Sequence, residues 1–140
     1  MNGRFFLDTN VFVYSFDPNS PKKAKIADEL IAEAIATGKG LVSFQVVEEF
    51  FNVAFRRFQK PMSLVDADIY LSAIFRPILG VHSSEILFRD ALQLRHRYQL
   101  SWYDALLVRS AIAGGCEVLY TEDLQDAQKF GSLKVVNPFK

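Results

Sequence analysis

Four acidic residues are placed in the sequence where folding can bring them together: Asp8, Glu49, Asp104 and Asp123. Asp8 and Asp123 each closely follow a short apolar run typical of a strand, and Glu49 lies early in a helix that follows another strand. Because ligand sites in parallel sheets lie outside the carboxyl ends of the strands, we expect these three acids to meet at one edge. Asp104, near the start of its own helix, joins them if that helix N-terminus points to the same edge.

Carboxylates gathered in this way repel one another, which costs stability unless a cation neutralises them. Hard divalent ions with oxygen ligands, Mg²⁺ or Mn²⁺ in particular, are their natural partners. Such an ion can activate water and offset the charge that develops on a phosphodiester. The single cysteine, Cys116, excludes a zinc site built on several thiolates, and no histidine pair or Ser/His/Asp set competes with the acids.

Each acid also has a structural interpretation that requires no ligand. Asp8 and Asp123 are each placed to cap a short helix that follows. Ser101 and Asp104 fit a capping box, and Glu49 lies on the polar side of its helix, opposite a phenylalanine-rich stripe. Taken one at a time, the acids favour these structural roles. Taken together at strand ends, they favour a site.

The elements that position these residues alternate along the chain. Apolar runs predict strands at 4–7, 41–43, 80–82, 118–120 and 134–136. Helical spacing, with Ser, Pro and Gly at the boundaries, predicts helices at 20–38, 47–58, 63–75, 84–99, 101–113 and 124–129. The dipeptide Arg76-Pro77 is expected to end the third of these. This alternation predicts an α/β fold, a three-layer α/β/α sandwich with a central, mainly parallel sheet.

Length and composition predict a single domain over residues 1–140, with ample apolar area for one core. Lys and Arg balance Asp and Glu at 16 each, which is mild evidence against a protein that binds nucleic acid through a broad basic face. Any such binding must rely on local basic patches or on metal ions. With no apolar run approaching 18 residues and a lone cysteine, we expect a soluble, cytoplasmic protein without membrane contact.

Four motifs in order along the chain resemble those of PIN-domain nucleases. They are Phe6-Leu-Asp8-Thr-Asn10-Val, Ser43-Phe-Gln-Val-Val-Glu-Glu49-Phe-Phe-Asn-Val53, Leu100-Ser-Trp-Tyr-Asp104-Ala-Leu-Leu-Val108 and Leu119-Tyr-Thr-Glu-Asp123-Leu124. Each motif is loose by itself, but the four in order span nearly the whole chain. At this length the chain looks most like the VapC-type toxins of toxin–antitoxin pairs.

This resemblance implies a Mg²⁺- or Mn²⁺-dependent endoribonuclease that cuts structured RNA of the transfer- or ribosomal-RNA type. It also implies a homodimer and a cognate antitoxin protein that docks near the site. By motif, the resemblance assigns metal binding and catalysis to the four acids Asp8, Glu49, Asp104 and Asp123. Asn10 and Thr121 take the polar positions that support these acids. Glu49 is preferred to Glu48 because it matches the motif. Asp126 is a candidate for a fifth acid of the site, but we expect it to lie on the solvated side of a helix.

Other residues and functions remain open at this point. Arg56, Arg57 and Lys60 share a helix with Glu49 and are candidates for contact with RNA phosphates. Trp102 and Tyr103 are considered for stacking on a base, with core packing favoured for at least one of them. The principal alternative function is a catalytically inactive PIN-like module that binds RNA or protein. A phosphohydrolase with an aspartyl nucleophile is disfavoured, since Asn10 stands where its second acid is needed.

Overall fold

A six-stranded sheet runs through the centre of the computed structural model, which describes residues 3–140. Its strands are β1 (Arg4–Leu7), β2 (Gly40–Ser43), β3 (Leu79–Val81), β4 (Cys116–Tyr120), β5 (Lys129–Phe130) and β6 (Leu133–Val136). They lie in the order β3-β2-β1-β4-β6-β5, and every neighbouring pair is parallel except β5 and β6. The central strands β1 and β4 are the ones that end at Asp8 and just before Thr121.

Helices flank this sheet, so the predicted α/β architecture with a mainly parallel sheet is confirmed. They are α1 (Thr9–Tyr14), α2 (Pro21–Thr37), α3 (Phe44–Arg56), α4 (Leu64–Tyr70), α5 (Arg76–Ile78), α6 (Glu85–Tyr98) and α7 (Trp102–Ala113). Ser84 and Ser101 cap α6 and α7 through hydroxyl oxygens that accept backbone N–H groups. Gly38 ends α2 in the left-handed region at φ 69°, a conformation that glycine adopts without steric cost. Across residues 3–140, no helix combines the length and apolar character that crossing a membrane requires.

The prediction that Arg76-Pro77 ends the helix at 63–75 is wrong. A π-helical segment, Leu71–Phe75, follows α4 and continues into α5. In the wider π turn the backbone N–H of Arg76 donates to the carbonyl of Leu71. Pro77 lies inside this continuous helical segment, which ends at Ile78 and not at Arg76-Pro77.

The short helix predicted at 124–129 is also absent, because this part of the chain is tied down by distant backbone groups. The Asp126 carboxylate accepts a hydrogen bond from the Asn137 N–H at 2.8 Å, and the Ala127 N–H donates to the Val135 carbonyl at 2.9 Å. Ala127 takes a positive φ of 68°, which is incompatible with a continuing helix. Asp126 is therefore an anchor for the C-terminal segment and not the solvated helix residue that was expected.

Aromatic packing joins α1 to α3 and so fixes where their polar faces meet. Phe12 of α1 lies 6.4 Å from Phe50 of α3 and 4.9 Å from Phe75, between ring centroids, and all three are fully buried. Phe55, predicted to lie on the apolar stripe, is instead 48% exposed. The buried face of α3 consists of Val46, Phe50 and Ala54.

Candidate active site

Asp8 is a buried carboxylate at the junction of β1 and α1. Its Oδ1 accepts the backbone N–H of Thr9 at 2.6 Å, and its Oδ2 accepts the hydroxyl of Thr121 at 2.7 Å. The register that pairs Leu7 with Tyr120 brings Asp8 and Thr121 side by side where their strands end. Asp8 caps α1, as the structural interpretation predicted, and in the same orientation it lines a cleft.

Asp123 is tied to the same place by two short links. Its backbone N–H donates to the Thr121 hydroxyl oxygen at 3.1 Å, so Thr121 lies between Asp8 and Asp123. Its carboxylate accepts a hydrogen bond from the Asn10 side-chain amide at 3.1 Å. Of the two polar residues that the motif comparison placed in support, Thr121 therefore contacts both aspartates and Asn10 contacts Asp123.

Glu49 lies in the second turn of α3 and is held from two sides. Its Oε2 accepts the Thr9 hydroxyl at 3.3 Å, and its Oε1 accepts the Gln45 amide at 2.7 Å. The same Gln45 nitrogen donates to the Tyr103 carbonyl at 3.2 Å, which links Glu49 to the first turn of α7. Glu48 is exposed and does not line the cleft, so the geometry favours Glu49. Gln45 belongs to the motif that contains Glu49 and stands four residues before it on the same helix face, but no role was predicted for it.

Asp104 is not brought together with the other three acids. The Ser101 hydroxyl accepts its backbone N–H at 3.1 Å, which is one half of the predicted capping box. In the part of the chain that the structure describes, its carboxylate makes no hydrogen bond and does not line the cleft. The link through Gln45 places the first turn of α7 beside Glu49, so Asp104 stands next to the site without entering it.

The cleft has a volume of about 670 Å³ and is bounded by α1, the loop that follows it, α3 and the loop that carries Asp123. Glu49, Val53 and Arg57 line it at a spacing of four residues, so one face of α3 forms a wall. Along this wall the acid and the cation are separated by roughly 12 Å, at 1.5 Å of rise per residue. Lys60 lines the cleft as well, whereas Arg56 does not.

The electrostatics of the acidic end are unfavourable in the protein alone. The pKa of Asp8 is raised to about 7, chiefly by burial; the hydrogen bonds from Thr121 and Thr9 offset part of this rise, and the charges of Asp123 and Glu49 add to it. Within residues 3–140, Arg57 and Lys60 form no ion pair with these or other acids. The negative charge therefore lacks a protein cation to balance it.

The donors in this cleft suit a hard divalent cation. Asp8, Glu49 and Asp123 offer only oxygen atoms, the ligands that Mg²⁺ and Mn²⁺ prefer. No three His, Cys, Asp or Glu side chains among residues 3–140 already stand close enough to form a metal cluster. Mg²⁺ does not require one, since it is commonly held by one or two carboxylates and keeps several of its waters.

A second polar group beside the cleft fixes the loop that carries Asp123. The Tyr14 hydroxyl donates to the Glu122 carboxylate and accepts a hydrogen bond from the Lys23 ammonium at 3.3 Å. The Phe139 ring packs edge-on against Tyr14, 4.8 Å between centroids, so the end of the chain braces this contact. Sequence spacing gave no signal for this group, because its members come from four distant segments.

Comparison with known proteins identifies the family. The PIN domain model matches residues 5–130. No curated protein sequence matches the chain significantly. The structure is similar to a toxin–antitoxin complex from Klebsiella pneumoniae, with 18% identity, a TM-score of 0.67, and coverage of 95% of this chain and 96% of that one.

Two further solved structures show the same fold at low identity. The sarcin–ricin-loop-cleaving toxin VapC20 of Mycobacterium tuberculosis is 20% identical, with a TM-score of 0.61 over 85% of this chain and 89% of that one. A chain of the VapBC2 complex of Rickettsia felis, bound to promoter DNA, is 20% identical, with a TM-score of 0.65 over 94% of this chain and 96% of that one. At these identities the likeness establishes the architecture of the chain.

The raised pKa of Asp8 predicts how the stability of the metal-free protein depends on pH. Above a pH of about 4 the unfolded chain has lost the Asp8 proton, while the folded protein retains it up to a pH of about 7. The free energy of unfolding should therefore fall as pH rises through this window. Asp8→Asn keeps a good cap for α1 and removes the charge, so in chelator it should gain stability over the wild type between pH 4 and 8.

The measurement is urea unfolding of both proteins across that pH range. The difference between their free energies of unfolding removes the contributions of the other titrating groups, which both proteins share. Asp126→Asn is the matched control, since the backbone hydrogen bond from Asn137 lowers the pKa of Asp126. That variant should lose stability relative to the wild type as pH rises from acid to neutral. A gap between Asp8→Asn and the wild type that does not change with pH would contradict the prediction.

Proposed function

The chain belongs to the PIN-domain family, and on that premise we propose that it is a Mg²⁺- or Mn²⁺-dependent endoribonuclease that cuts structured RNA of the transfer- or ribosomal-RNA type. The observation that carries this proposal is the cleft that Asp8, Glu49 and Asp123 line together, where no cation among residues 3–140 forms an ion pair with them. Metal-dependent phosphodiester hydrolysis needs such a concentration of oxygen ligands, together with a path for a negatively charged strand. The free cations Arg57 and Lys60 on the same cleft supply that path.

Each residue of the site has a defined task in this proposal. Asp8, Glu49 and Asp123 would hold the ion, which when bound lowers the pKa of water and offsets charge on the phosphodiester. Thr121 and Asn10 orient the two aspartates through the hydrogen bonds described above. Because these supports belong to neighbouring strand ends, the carboxylates are positioned before substrate arrives, which reduces the cost of organising them during the reaction.

The two positively charged side chains act on the strand and not on the reacting atoms. Arg57 and Lys60 stand toward the other end of the α3 wall from Glu49 and are free to contact phosphates of the bound RNA. Arg56 is exposed outside the cleft and would reach only a strand that extends beyond it. This division assigns orientation of the RNA to the cations and hydrolysis to the acids.

We propose further that the protein is the toxin of a type II toxin–antitoxin system. The support is the likeness to toxin–antitoxin chains over nearly their whole length. A homodimer and a cognate antitoxin would account for large apolar side chains left exposed on α4 and α6, such as Leu64 at 83% and Ile86 at 72%. Such a protein would act in the cytoplasm, where RNA and a small antitoxin are both made.

Substitution of the two adjacent glutamates tests the catalytic assignment. Glu49→Gln should abolish Mn²⁺-dependent cleavage of a structured RNA, because it removes a charge that faces the cleft. Glu48→Gln, the matched control one residue away, should cut like the wild type. Chelator should silence the wild type and added Mg²⁺ or Mn²⁺ should restore it. Cleavage that persists in excess chelator would refute the metal-dependent mechanism, and cleavage by folded Glu49→Gln would remove Glu49 from the catalytic set. A folded wild type that does not cut RNA with Mg²⁺ or Mn²⁺ would favour the inactive-module alternative.

Asp104 requires its own experiment, because the structure leaves it beside the cleft. Asn suits a helix start as well as Asp, so a purely structural Asp104 predicts that Asp104→Asn costs well under about 1 kcal/mol and cuts RNA normally. If Asp104 helps to hold the ion, the variant should lose cleavage, and the rise in melting temperature on adding Mn²⁺ should shrink. Melts with and without Mn²⁺, paired with the cleavage assay, decide between these roles. Normal cleavage by Asp104→Asn removes Asp104 from the catalytic set.

The oligomeric state is an independent prediction. Light scattering at micromolar concentration should report a dimer, because apolar side chains exposed in one copy are buried when two copies associate. Leu64→Lys is the informative variant if α4 forms the interface, since a charge there must be desolvated in the dimer. A wild-type monomer would refute the dimer and leave the nuclease proposal untouched.

A further inference from the structure

The cleft is larger than the acidic site and has an apolar part that hydrolysis does not use. Val13, Phe16, Val53 and Phe58 line it beside the acids and the cations. Phe16 is 42% exposed, so a large aromatic surface faces water inside a concave site. Pockets that combine apolar surface with a few polar groups are typical of ligand sites, and this volume lies within their usual range.

The apolar part lies next to the acids along two helices. Val53 stands one helical turn beyond Glu49 on α3, roughly 6 Å away along the axis. Phe16 follows the last residue of α1 by two positions, while Asp8 caps the opposite end of that helix. A strand whose phosphodiester lies at the carboxylates would therefore carry a neighbouring nucleotide over this apolar surface.

The Phe16 ring is held in place by a cluster of other rings. Its centroid lies 5.2 Å from that of Phe58, 5.4 Å from Tyr70 and 5.9 Å from Phe50. These contacts restrict the ring while leaving much of its surface open. A ring fixed before binding loses little conformational entropy when a planar ligand stacks on it, which favours affinity.

Side-chain amides are available at the rim of the same surface. Asn19 and Gln59 both line the cleft, both are exposed, and within residues 3–140 neither side chain makes a hydrogen bond. The Asn19 backbone N–H donates to the Asp17 carboxylate at 2.9 Å, so the loop that carries Asn19 has a defined turn. An amide offers a donor and an acceptor together, the combination that reads the edge of a base.

We propose that Phe16 stacks on an unpaired base adjacent to the cut phosphate, with Asn19 and Gln59 at the edge of that base. This inference rests on the proposed ribonuclease function and adds a subsite to it. Sequence-specific RNA recognition commonly uses unstacked bases on aromatic side chains. The aromatic residues considered from the sequence, Trp102 and Tyr103, do not line the cleft, and Trp102 packs against Phe88 at 5.9 Å between centroids.

Binding of a fluorescent single-stranded RNA that contains the mapped cleavage site tests this subsite, in chelator so that the strand stays intact. Phe16→Leu keeps apolar packing but removes the stacking surface, and should bind about tenfold more weakly than the wild type. Phe16→Trp should bind as well as the wild type, and RNA should quench its added indole fluorescence. Phe55→Leu is the matched control, because Phe55 is similarly exposed, at 48%, but lies outside the cleft; its binding should be unchanged.

RNAs with a single abasic nucleotide identify the stacked base. At one position beside the cut phosphate, removing the base should weaken wild-type binding as much as Phe16→Leu does, and should not weaken Phe16→Leu further. If Phe16→Leu and the abasic nucleotide weaken binding independently and additively at every position, the proposal is overturned. So would equal binding by Phe16→Leu and Phe55→Leu, or a Phe16→Leu variant that changes only the oligomeric state.

The outcomes also separate this inference from the function on which it rests. A wild type that cuts RNA, while Phe16→Leu binds as tightly as the wild type, refutes base stacking and leaves the ribonuclease intact. A wild type that neither binds nor cuts RNA refutes the ribonuclease proposal and the subsite with it.

Discussion

Burial of the Asp8 carboxylate at the junction of β1 and α1 is the constraint on which the rest of the site depends. The side chain is 5% exposed, and its hydrogen-bond partners, the Thr9 N–H and the Thr121 hydroxyl, are both neutral. Neutral donors offset only part of the desolvation penalty, and Asp123 and Glu49 add like charge, which is why its pKa rises so far. The fold tolerates this cost because the parallel register of β1 and β4 fixes Thr121 beside Asp8.

Capping and ligand binding are compatible at this site, although the sequence presents them as alternatives. Asp8 caps α1 with one oxygen, while the other oxygen accepts the hydroxyl that orders Asp123. A carboxylate fixed by a helix start is rigid, and rigidity is what a metal ligand or an electrostatic catalyst needs. Asp104 shows the contrasting case, since its backbone takes part in a cap while its carboxylate makes no hydrogen bond in the described residues.

The sequence predicts well what depends on local pattern and poorly what depends on distant contacts. Alternating strand and helix patterns predicted the sheet, and strand ends predicted where Asp8, Glu49 and Asp123 would meet. The helix expected at 124–129 fails because Asn137 and Val135, which follow it in the chain, take over the hydrogen bonds of that segment. Phe16 was missed for the same reason, since only the packing of α1 and α3 against their neighbours places it in the cleft.

The formal net charge of zero, which the sequence offers as mild evidence against binding nucleic acid, does not describe the distribution of charge in the cleft. Opposite charges are segregated along α3, with Glu49 and Arg57 on one wall, so a neutral chain still presents a local cationic surface. If the protein cuts RNA as proposed, a phosphate near the acids is repelled until a divalent ion is bound there. A phosphate near Arg57 and Lys60 meets no such repulsion. Metal and RNA must then each increase the affinity of the other by the same factor, because coupling between two binding equilibria is reciprocal. Burial of Asp8 strengthens this coupling, since a carboxylate that a bound ion keeps ionised is less screened by solvent there than at the surface.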